Sequence, residues 1–305
     1  MSVHQIRNYL TLVRFPNLFT LPSNVFAGYF STQSNNAIEI NNIGLVILVS
    51  TCLYAVGVIF NDIADRQVDR KERPNRPIPS GKITQRNATI LALLLIAISI
   101  LVSYFISTAT LIIVLVLITT IFLYDFVLKN SLIGPAAMAA TRLLNILLGA
   151  SLNLNNFAGG EAYQVSYRLC IVCISEFIYI SGISALSKYE THINTFQLRR
   201  LHVLLFLSPL VIGVYAASIG LFNNNIWIYI LIFGSFIVSM LKVITSSDFA
   251  VTNSTLQKII GLLIVGIIVH DAIYIGGSLD NWYLGMSTFG LLIPTILLGK
   301  RFYVT

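Results

Sequence analysis

The sequence predicts an all-α membrane protein, a polytopic helical bundle with nine or ten transmembrane helices in one domain, residues 1–305. Only 10% of its 305 residues are charged, whereas soluble domains carry about 25%. Long apolar runs recur along the chain, each near the ~20 residues that a helix needs to cross a bilayer. In lipid, the polar groups of the backbone must bond within their own segment, so these runs are expected to be helices.

Ten apolar runs are the candidate spans, and no polar stretch between them is long enough to fold as a separate soluble domain. The runs cover residues 15–31, 43–60, 87–106, 109–124, 131–152, 167–187, 200–220, 225–243, 257–276 and 284–299. The last two are the least sharply bounded, so nine spans are the alternative count. The N-terminus lacks the apolar core and cleavage site of a signal peptide, so the first run is expected to act as its own insertion signal.

The positions of Lys and Arg predict the orientation of these spans. With the N-terminus and the charged loops on the cytoplasmic or stromal side, 17 of the 19 basic residues fall on that side, as the positive-inside rule expects. Basic loops that meet anionic lipid headgroups account for the net charge of +7, so membrane lipid but no nucleic acid is expected as a partner. The abundance of Asn and Ile indicates an AT-rich genome and hence a bacterial inner or plastid-type membrane.

A charged segment, residues 60–82, follows the second span and carries three aspartates at Asp62, Asp65 and Asp69. Their i, i+3, i+7 spacing places all three on one helix face if the second span continues past Phe60. Clustered carboxylates are costly beside a membrane interior, and a divalent cation would offset that cost. Mg²⁺ suits this cluster because it takes one or two carboxylates and binds substrate phosphates with its remaining positions.

Basic residues surround these aspartates and predict an anionic ligand. Arginine can contact a diphosphate bidentately, and the basic residues of the segment include Arg66, Arg70, Arg73, Arg76 and Lys82. The segment thus predicts a Mg²⁺–diphosphate site at the membrane face. The alternative is a solvated loop whose acids pair with its own bases, which the one-face spacing and the stiff R-P-I-P-S-G stretch disfavour.

A second polar stretch, SALSKYETHINTFQLRR, follows the sixth span on the same side of the membrane. Its Glu190 comes 128 residues after Asp62 (190 − 62). This recurrence of a polar stretch predicts two related halves, about 1–130 and 131–305, whose polar loops meet over one cavity.

The charged segment resembles the signature of the UbiA superfamily of intramembrane prenyltransferases. It reads N-D-x-x-D-x-x-x-D over residues 61–69 and then N-R-P-x-P-S-G over residues 75–81. The resemblance extends to R-F-P-N over residues 14–17, to Tyr124 and to Lys129.

The resemblance implies helices around a central cavity that opens sideways to lipid, with a prenyltransferase reaction inside it. There, the diphosphate of a polyprenyl donor would be held by Mg²⁺ on the catalytic aspartates Asp62, Asp65 and Asp69. The basic residues expected to contact the diphosphate are Lys129, Arg14 and Arg76. The metal and these cations would stabilise the departing diphosphate, and a small acceptor, aromatic or cyclic, would attack the remaining allylic cation.

The second polar stretch departs from the family's pattern, which has another acid-rich motif after the sixth span. Ser187 stands where the first Asp is expected, and Glu190 is the carboxylate that remains. Glu190 is therefore expected to be a fourth catalytic and metal-binding acid, Lys188 a further phosphate contact, and Ser187 a polar group of the cavity. The S-[RK]-x-E-x-H pattern, which ends at His192, resembles a divergent UbiA-like branch called EboC.

Several polar residues lie inside predicted spans, where they are costly unless they face a cavity or a partner. Arg142, with Asn145 one turn later, is expected to contact the diphosphate or the acceptor, or else to pair with Glu176. The His270-Asp271 pair is expected to be structural, because no other polar residue accompanies it. The polar side chains expected on the cavity wall are Asn24, Asn61, Tyr124, Asn145, Glu176 and Ser187.

Three functions stay open on the sequence alone. The first is an enzyme that uses Mg²⁺ to transfer a polyprenyl group from its diphosphate to a small acceptor. The second is a non-catalytic or transport-adapted protein that binds or carries a prenylated lipid precursor, having lost catalysis with its second acid motif. The third is a structural subunit whose loops dock partners. The sequence predicts neither the prenyl chain length nor an oligomeric state.

Overall fold

Helices make up all the regular structure of the described residues, which confirms the all-α prediction. The computed structural model describes residues 3–33, 40–158, 162–189, 200–246, 253–279 and 282–299. Its α-helices are α1 (Val3–Leu12), α2 (Leu21–Thr32), α3 (Ile40–Ala64), α4 (Arg66–Glu72), α5 (Gln85–Ile106), α6 (Thr108–Leu123), α7 (Gly134–Ala150), α8 (Ala162–Ser187), α9 (Arg200–Ser218), α10 (Ile226–Ser246), α11 (Asn253–Ser278), α12 (Trp282–Ser287) and α13 (Leu292–Gly299).

In the described part of the chain, six helical segments are long and apolar enough to cross a membrane alone. They are Asn42–Ala64, Gln85–Ile106, Thr108–Leu128, Gly134–Leu154, Tyr163–Ser187 and Leu256–Ser278. Three shorter apolar helices coincide with further predicted spans, and these are Leu205–Ser218, Ile226–Lys242 and Gly285–Gly299. The chain is therefore an integral, multi-pass membrane protein. Its orientation and the type of membrane stay predictions.

The first and last predicted spans are interrupted rather than continuous. Phe15–Thr20 form a 3-10 turn, and α2 begins only at Leu21, with Pro16 and Pro22 near the two starts. A proline cannot donate the backbone hydrogen bond that would join such segments into one helix. Another 3-10 turn, Thr288–Leu291, likewise separates α12 from α13. The two interrupted segments meet, because α13 packs against the first 3-10 turn.

Two clusters of buried apolar side chains form the core, and they divide the chain near residue 130. The first cluster draws mainly on α1 to α6, with residues such as Leu53 and Leu117. The second draws mainly on α7 to α11, with residues such as Val172 and Phe233. The boundary between the two predicted halves and their relation by an internal repeat both stay predictions.

The two clusters are joined where α2 crosses α7 in direct backbone contact. A Cβ atom on Gly28 would lie 1.9 Å from the Ile146 carbonyl oxygen, and one on Gly149 would lie 2.1 Å from the Val25 carbonyl oxygen. Small residues permit such close approach between membrane helices. The crossing therefore fixes how the polar side chains of α2 and α7 meet.

Candidate active site

α3 continues past Phe60 to Ala64, and α4 extends the path after a break at Asp65. Across the break, the Asp65 amide donates to the Asn61 carbonyl and the Asp69 amide donates to the Asp65 carbonyl, each at 2.9 Å. These bonds keep the helical spacing that the sequence predicts. Asp65 and Asp69 consequently line one cavity.

This cavity has a volume of about 720 Å³, within the usual range for small-molecule sites. Its charged end carries Arg14, Asp65, Asp69, Glu72, Arg73, Arg76, Lys129 and Lys188. Its apolar wall includes Leu53, Leu117, Ile121, Ile180, Ile183, Ile260, Ile264 and Ile267. Both parts of the chain contribute, and the division into charged and apolar regions suits a ligand with an anionic head and a hydrocarbon tail.

Asp62, the first of the three aspartates, lies behind the cavity wall rather than on it. It is almost fully buried, and its Oδ1 accepts from Arg14 Nη2 at 3.4 Å and from Arg76 Nη1 at 3.2 Å. Both arginines line the cavity. Asp62 thus orients two candidate diphosphate-binding groups, and its direct contact with a metal stays a prediction.

Asp69, on α4, is paired with arginines of its own segment. Arg76 Nη1 lies 2.7 Å from Asp69 Oδ2, and Arg73 Nη1 lies 3.8 Å from Asp69 Oδ1. Burial raises the pKa of the Asp69 carboxyl above its ordinary value, and the charge of Arg76 partly offsets that rise. The acids and bases of this segment pair with one another, as the solvated-loop alternative expects, but they do so on the wall of a cavity.

The R-P-x-P-S-G stretch forms a compact turn that fixes Arg76. The Arg76 carbonyl accepts from the Ser80 amide at 3.0 Å and from Ser80 Oγ at 2.7 Å. Gly81 then has a φ of +75°, a left-handed conformation that glycine adopts without strain, and the chain turns back toward α5. The turn thereby holds the Arg76 side chain against Asp62 and Asp69.

Arg14 reaches the same wall through an uncommon backbone conformation. Its φ of 49° and ψ of 55° are left-handed, which costs a non-glycine residue about 1 kcal/mol or more. This conformation turns the chain between α1 and the 3-10 turn that starts at Phe15. Backbone strain of this kind is common at ligand-binding sites, and here it brings a cation to the charged end of the cavity.

Lys129 is positioned by a wide turn at the end of α6. Tyr124–Leu128 form a π-helical turn, and the Lys129 amide donates to the Tyr124 carbonyl at 2.9 Å. Turns of this type are rare and occur frequently at functional sites. Lys129 Nζ lies 2.7 Å from Asn61 Oδ1 and forms an ion pair with Asp65. The π turn thus brings the end of α6 against the charged segment.

Asp125, on the same π turn, carries a buried carboxyl group. Only 6% of the residue is exposed, and within the described ranges neither Oδ1 nor Oδ2 has a hydrogen-bond partner. The residue also lines the cavity. Buried carboxylates are normally paired, so Asp125 indicates a place where a cation or a donor from a bound ligand belongs.

Asp125→Leu is expected to stabilise the ligand-free protein, because it replaces a buried polar group that lacks hydrogen-bond partners among the described residues with an apolar side chain of similar size. The expected gain is about 1–3 kcal/mol in the free energy of unfolding. Asp69→Asn is the control, since it removes one of the two carboxylate partners of Arg76 and should lower stability instead. Thermal unfolding of both variants in Mg²⁺-free nanodiscs measures the two effects. A lower melting temperature for Asp125→Leu would contradict the prediction.

α8 brings the second polar stretch to the same cavity. Ser184, Ser187 and Lys188 line it, and Lys188 Nζ donates to the Ser131 carbonyl at 2.7 Å. The α8 side of the wall thus presents hydroxyls and a lysine, where the family's pattern has acids. Glu190 and the rest of the EboC-like pattern lie outside the described residues, so their roles stay predictions.

A buried polar network lies behind the cavity wall. Arg142 Nη1 donates to Asn24 Oδ1 at 3.0 Å and to Thr20 Oγ1 at 3.2 Å. The amide nitrogen of Asn24 donates in turn to Glu176 Oε1 at 3.0 Å and to Asp271 Oδ2 at 2.8 Å. Asn24 therefore stands between Arg142 and Glu176, which the sequence predicts to pair directly as one alternative.

His270 completes this network. Its Nδ1 lies 3.0 Å from Glu176 Oε2 and 3.4 Å from Asp271 Oδ1, and its Nε2 lies 2.8 Å from Ser175 Oγ. The expectation that no polar residue accompanies His270-Asp271 is wrong, because its partners come from other helices. Potential ligand atoms of His270, Asp271 and Glu176 lie within 4.8 Å of one another.

Two residues expected on the cavity wall, Asn24 and Glu176, lie in this network behind it. The expected polar residues that do line the cavity are Asn61, Tyr124, Arg142, Asn145 and Ser187. Sequence reasoning overlooked Tyr54, which lines the cavity two turns before Asn61 on α3. Their seven-residue spacing was the available signal, because residues seven apart share a helix face.

Comparison with known protein families supports the resemblance carried by the charged segment. The profile of the UbiA prenyltransferase family matches residues 21–259, more than half of the chain. The chain belongs to the UbiA prenyltransferase family. The narrower resemblance to the EboC branch stays a prediction.

Curated relatives of this UbiA chain include digeranylgeranylglyceryl phosphate synthases. The synthase of Sulfurisphaera tokodaii is 32% identical over 145 residues, which are 47% of this chain and 52% of that protein. The synthase of Sulfolobus acidocaldarius is 26% identical over 260 residues, which are 78% of this chain and 91% of that protein. The chain thus spans about half the length of the first relatives that it matches.

Solved UbiA structures share the fold. A digeranylgeranylglyceryl phosphate synthase has a TM-score of 0.62 at 22% identity, over 91% of this chain and 99% of that one. A UbiA homologue from Aeropyrum pernix K1 has a TM-score of 0.67 at 12% identity, over 84% and 96%. A UbiA homologue from Archaeoglobus fulgidus bound to GPP and Mg²⁺ has a TM-score of 0.60 at 15% identity, over 88% and 99%. At these identities the likeness shows a common membrane helical bundle.

Proposed function

We propose that this chain is a Mg²⁺-dependent prenyltransferase, which moves a polyprenyl group from its diphosphate to a small acceptor within the membrane. The observation that carries the proposal is the cavity of about 720 Å³, charged at one end and apolar along the rest of its wall. A polyprenyl diphosphate has the same division into an anionic head and a hydrocarbon tail. Membership of the family supports this function, as does a related structure bound to GPP and Mg²⁺.

The residues at the charged end fit Mg²⁺. Mg²⁺ takes oxygen ligands and is held by one or two carboxylates together with substrate phosphates, and Asp65 and Asp69 offer carboxylates on the wall. Asp125 adds carboxylate oxygens that lack a hydrogen-bond partner among the described residues, as a cation site would. Asp125 thereby offers an acid to compensate for Ser187, which stands where the family's second motif has its first Asp. When bound, the metal neutralises negative charge on the departing diphosphate.

The basic side chains at this end hold the diphosphate before and during its departure. Arg14 and Arg76 are oriented by Asp62, and Lys129 is oriented by Asn61. Because these contacts exist before a ligand binds, little reorganisation is needed as the carbon–oxygen bond to the diphosphate breaks. The cations therefore stabilise the leaving group from fixed positions.

The rest of the wall protects the allylic cation that this step leaves. Its apolar side chains exclude water, which would otherwise capture the cation. Tyr124 also places an aromatic ring on the wall, and such rings stabilise cations through their faces. Attack by the acceptor then forms the new bond to carbon, and the acceptor loses one proton.

Two acceptor classes are compatible with this cavity. The sequence resemblance predicts an aromatic or cyclic acceptor. The relatives are digeranylgeranylglyceryl phosphate synthases, and their product points to a prenylated glyceryl phosphate instead. Both classes belong in the test of function.

Turnover of a labelled donor tests the proposal. Purified protein in nanodiscs is incubated with radiolabelled geranylgeranyl diphosphate, Mg²⁺, and either geranylgeranylglyceryl phosphate or 4-hydroxybenzoate. We expect label to pass to one acceptor with release of diphosphate, and we expect EDTA to stop the reaction. Arg86→Gln, an exposed change at the start of α5, is the control and should match the wild type.

Two other outcomes are informative. Tight, Mg²⁺-dependent donor binding without turnover would favour the alternative function, a carrier of a prenylated lipid precursor. A protein that binds no donor at all would contradict both functions.

A further inference from the structure

Arg142 lies deep in the cavity wall, and part of its guanidinium group has no hydrogen-bond partner among the described residues. It stands eight residues beyond Gly134 on α7, which is about 12 Å along the helix axis. It is 5% exposed and lines the cavity. Nη1 makes the bonds to Thr20 and Asn24, and no described residue accepts from Nε or Nη2. The ring of Tyr54 covers one face, with its centroid 5.3 Å from Cζ.

The carboxylates of the buried network reach Arg142 only through an amide. Glu176 and Asp271 each accept from the Asn24 nitrogen, and the Asn24 oxygen faces Arg142. Within the described ranges, Arg142 forms no ion pair with a carboxylate. A direct pair would occupy the outer edge of the guanidinium group. The interposed amide leaves that edge available to the cavity, while the acids compensate the buried charge from a distance.

Asn145 adds a second donor one turn along α7. Ser50 Oγ donates to Asn145 Oδ1 at 2.8 Å, which leaves the amide nitrogen as the other end of the group. Asn145 also lines the cavity, and no described residue accepts from its Nδ2. Two sets of N–H donors thus face the cavity from neighbouring positions on one helix, away from the charged end.

We propose that Arg142 and Asn145 bind an anionic group of the acceptor. The edge of the guanidinium group can hold a phosphate or a carboxylate bidentately, and Asn145 Nδ2 supplies a further hydrogen bond. This site is distinct from the charged end, where Arg14, Arg76 and Lys129 serve the donor diphosphate. The inference rests on the proposed function and narrows the acceptor to a molecule that carries a phosphate or a carboxylate.

The wild-type protein tests this inference without any variant. Each anionic acceptor is compared with a neutral counterpart, namely geranylgeranylglyceryl phosphate with geranylgeranylglycerol, and 4-hydroxybenzoate with phenol. For the pair that is used, we expect kcat/KM to be about 10- to 100-fold higher for the anionic member, the scale of a charged hydrogen bond. Prenylation of the glyceryl pair would indicate an acceptor with a phosphate, and prenylation of the phenolic pair an acceptor with a carboxylate. Equal use of the neutral member would overturn the inference.

Variants of Arg142 separate a contact with the acceptor from a structural role. We expect Arg142→Gln to raise the acceptor KM about 10- to 100-fold, to leave the donor KM unchanged, and to remove the preference for the anionic member. Arg142→Lys keeps the charge and should restore part of that preference, while Arg86→Gln should change nothing. A rise in the donor KM instead, or an intact preference in Arg142→Gln, would overturn the inference.

The neutral acceptors keep this test separate from the test of function. If a neutral acceptor is prenylated as efficiently as its anionic counterpart, the inference about Arg142 is wrong and the proposed function stands. If the donor binds but no acceptor is prenylated, or if the donor does not bind, the proposed transferase function itself is wrong.

Discussion

Asp65→Asn is expected to reduce prenyl transfer by about 100- to 1,000-fold, the scale on which one preorganised electrostatic contact acts. Asp65 lies on the cavity wall and is paired with Lys129. The substitution keeps the shape of the side chain but removes its charge, so it takes away a proposed metal ligand and leaves Lys129 without that partner. The Mg²⁺ concentration that supports donor binding should rise in parallel, which a Mg²⁺ titration of labelled donor binding measures.

Two controls define the Asp65 result. Asp65→Glu retains a carboxylate and should keep part of the activity, and Arg86→Gln should keep all of it. If Asp65→Asn retains the activity and the Mg²⁺ dependence of the wild type, Asp65 does not hold the metal.

The second large effect is expected on folding. Gly28→Leu should destabilise the protein by more than the ~3 kcal/mol typical of overpacking. The reason is that its Cβ would lie 1.9 Å from a backbone carbonyl oxygen, at Ile146, rather than from a movable side chain. α2 and α7 would have to separate, and the hydrogen bond between Asn24 and Arg142 would be lost with the crossing.

Gly44→Leu is the matched control for this prediction. Gly44 is an exposed helical glycine on α3, and nothing lies within 4 Å of the position of its Cβ. This variant should unfold at or above the temperature of the wild type, because leucine favours a helix more than glycine does. Thermal unfolding in nanodiscs compares the variants, and equal stability of Gly28→Leu and the wild type would show that the helices do not cross in contact.

The helical bundle could be predicted from the sequence because its causes are local. A run of apolar residues sets the length of a span, and the absence of water forces its backbone into a helix. The interruptions in the first and last spans were harder to see, because hydropathy averages over them. Pro16 and Pro22 were the available signs, since each stands near the start of a new segment.

The charged end was predictable for the same reason, since Asp65, at the break between α3 and α4, and Asp69, on α4, are one helical turn apart. Spacing alone could not place Asp62, because Arg14 and Arg76 reach its carboxylate from two separate segments. A helical pattern defines the face of a helix but not the partners that draw a side chain toward or away from a cavity.

The network around Arg142 lay beyond sequence reasoning. Asn24 and Glu176 are 152 residues apart, and Asn24 and Asp271 are 247 residues apart. No periodic pattern links positions at such distances, so their contact depends on how α2, α8 and α11 pack. The cost of burying charge predicts only that each member needs a partner, and the packing decides which one.

A structure of the protein with Mg²⁺ and geranylgeranyl thiodiphosphate, a slowly ionising donor analogue, tests the central claim most directly. We expect Mg²⁺ bound to Asp65 and Asp69, with the diphosphate in contact with Arg76 and Lys129 and the prenyl chain along the apolar wall. An analogue bound elsewhere would contradict the claim. Binding of the analogue at the charged end without Mg²⁺, with Asp65 still paired to Lys129 and Asp69 still paired to Arg76, would contradict it as well.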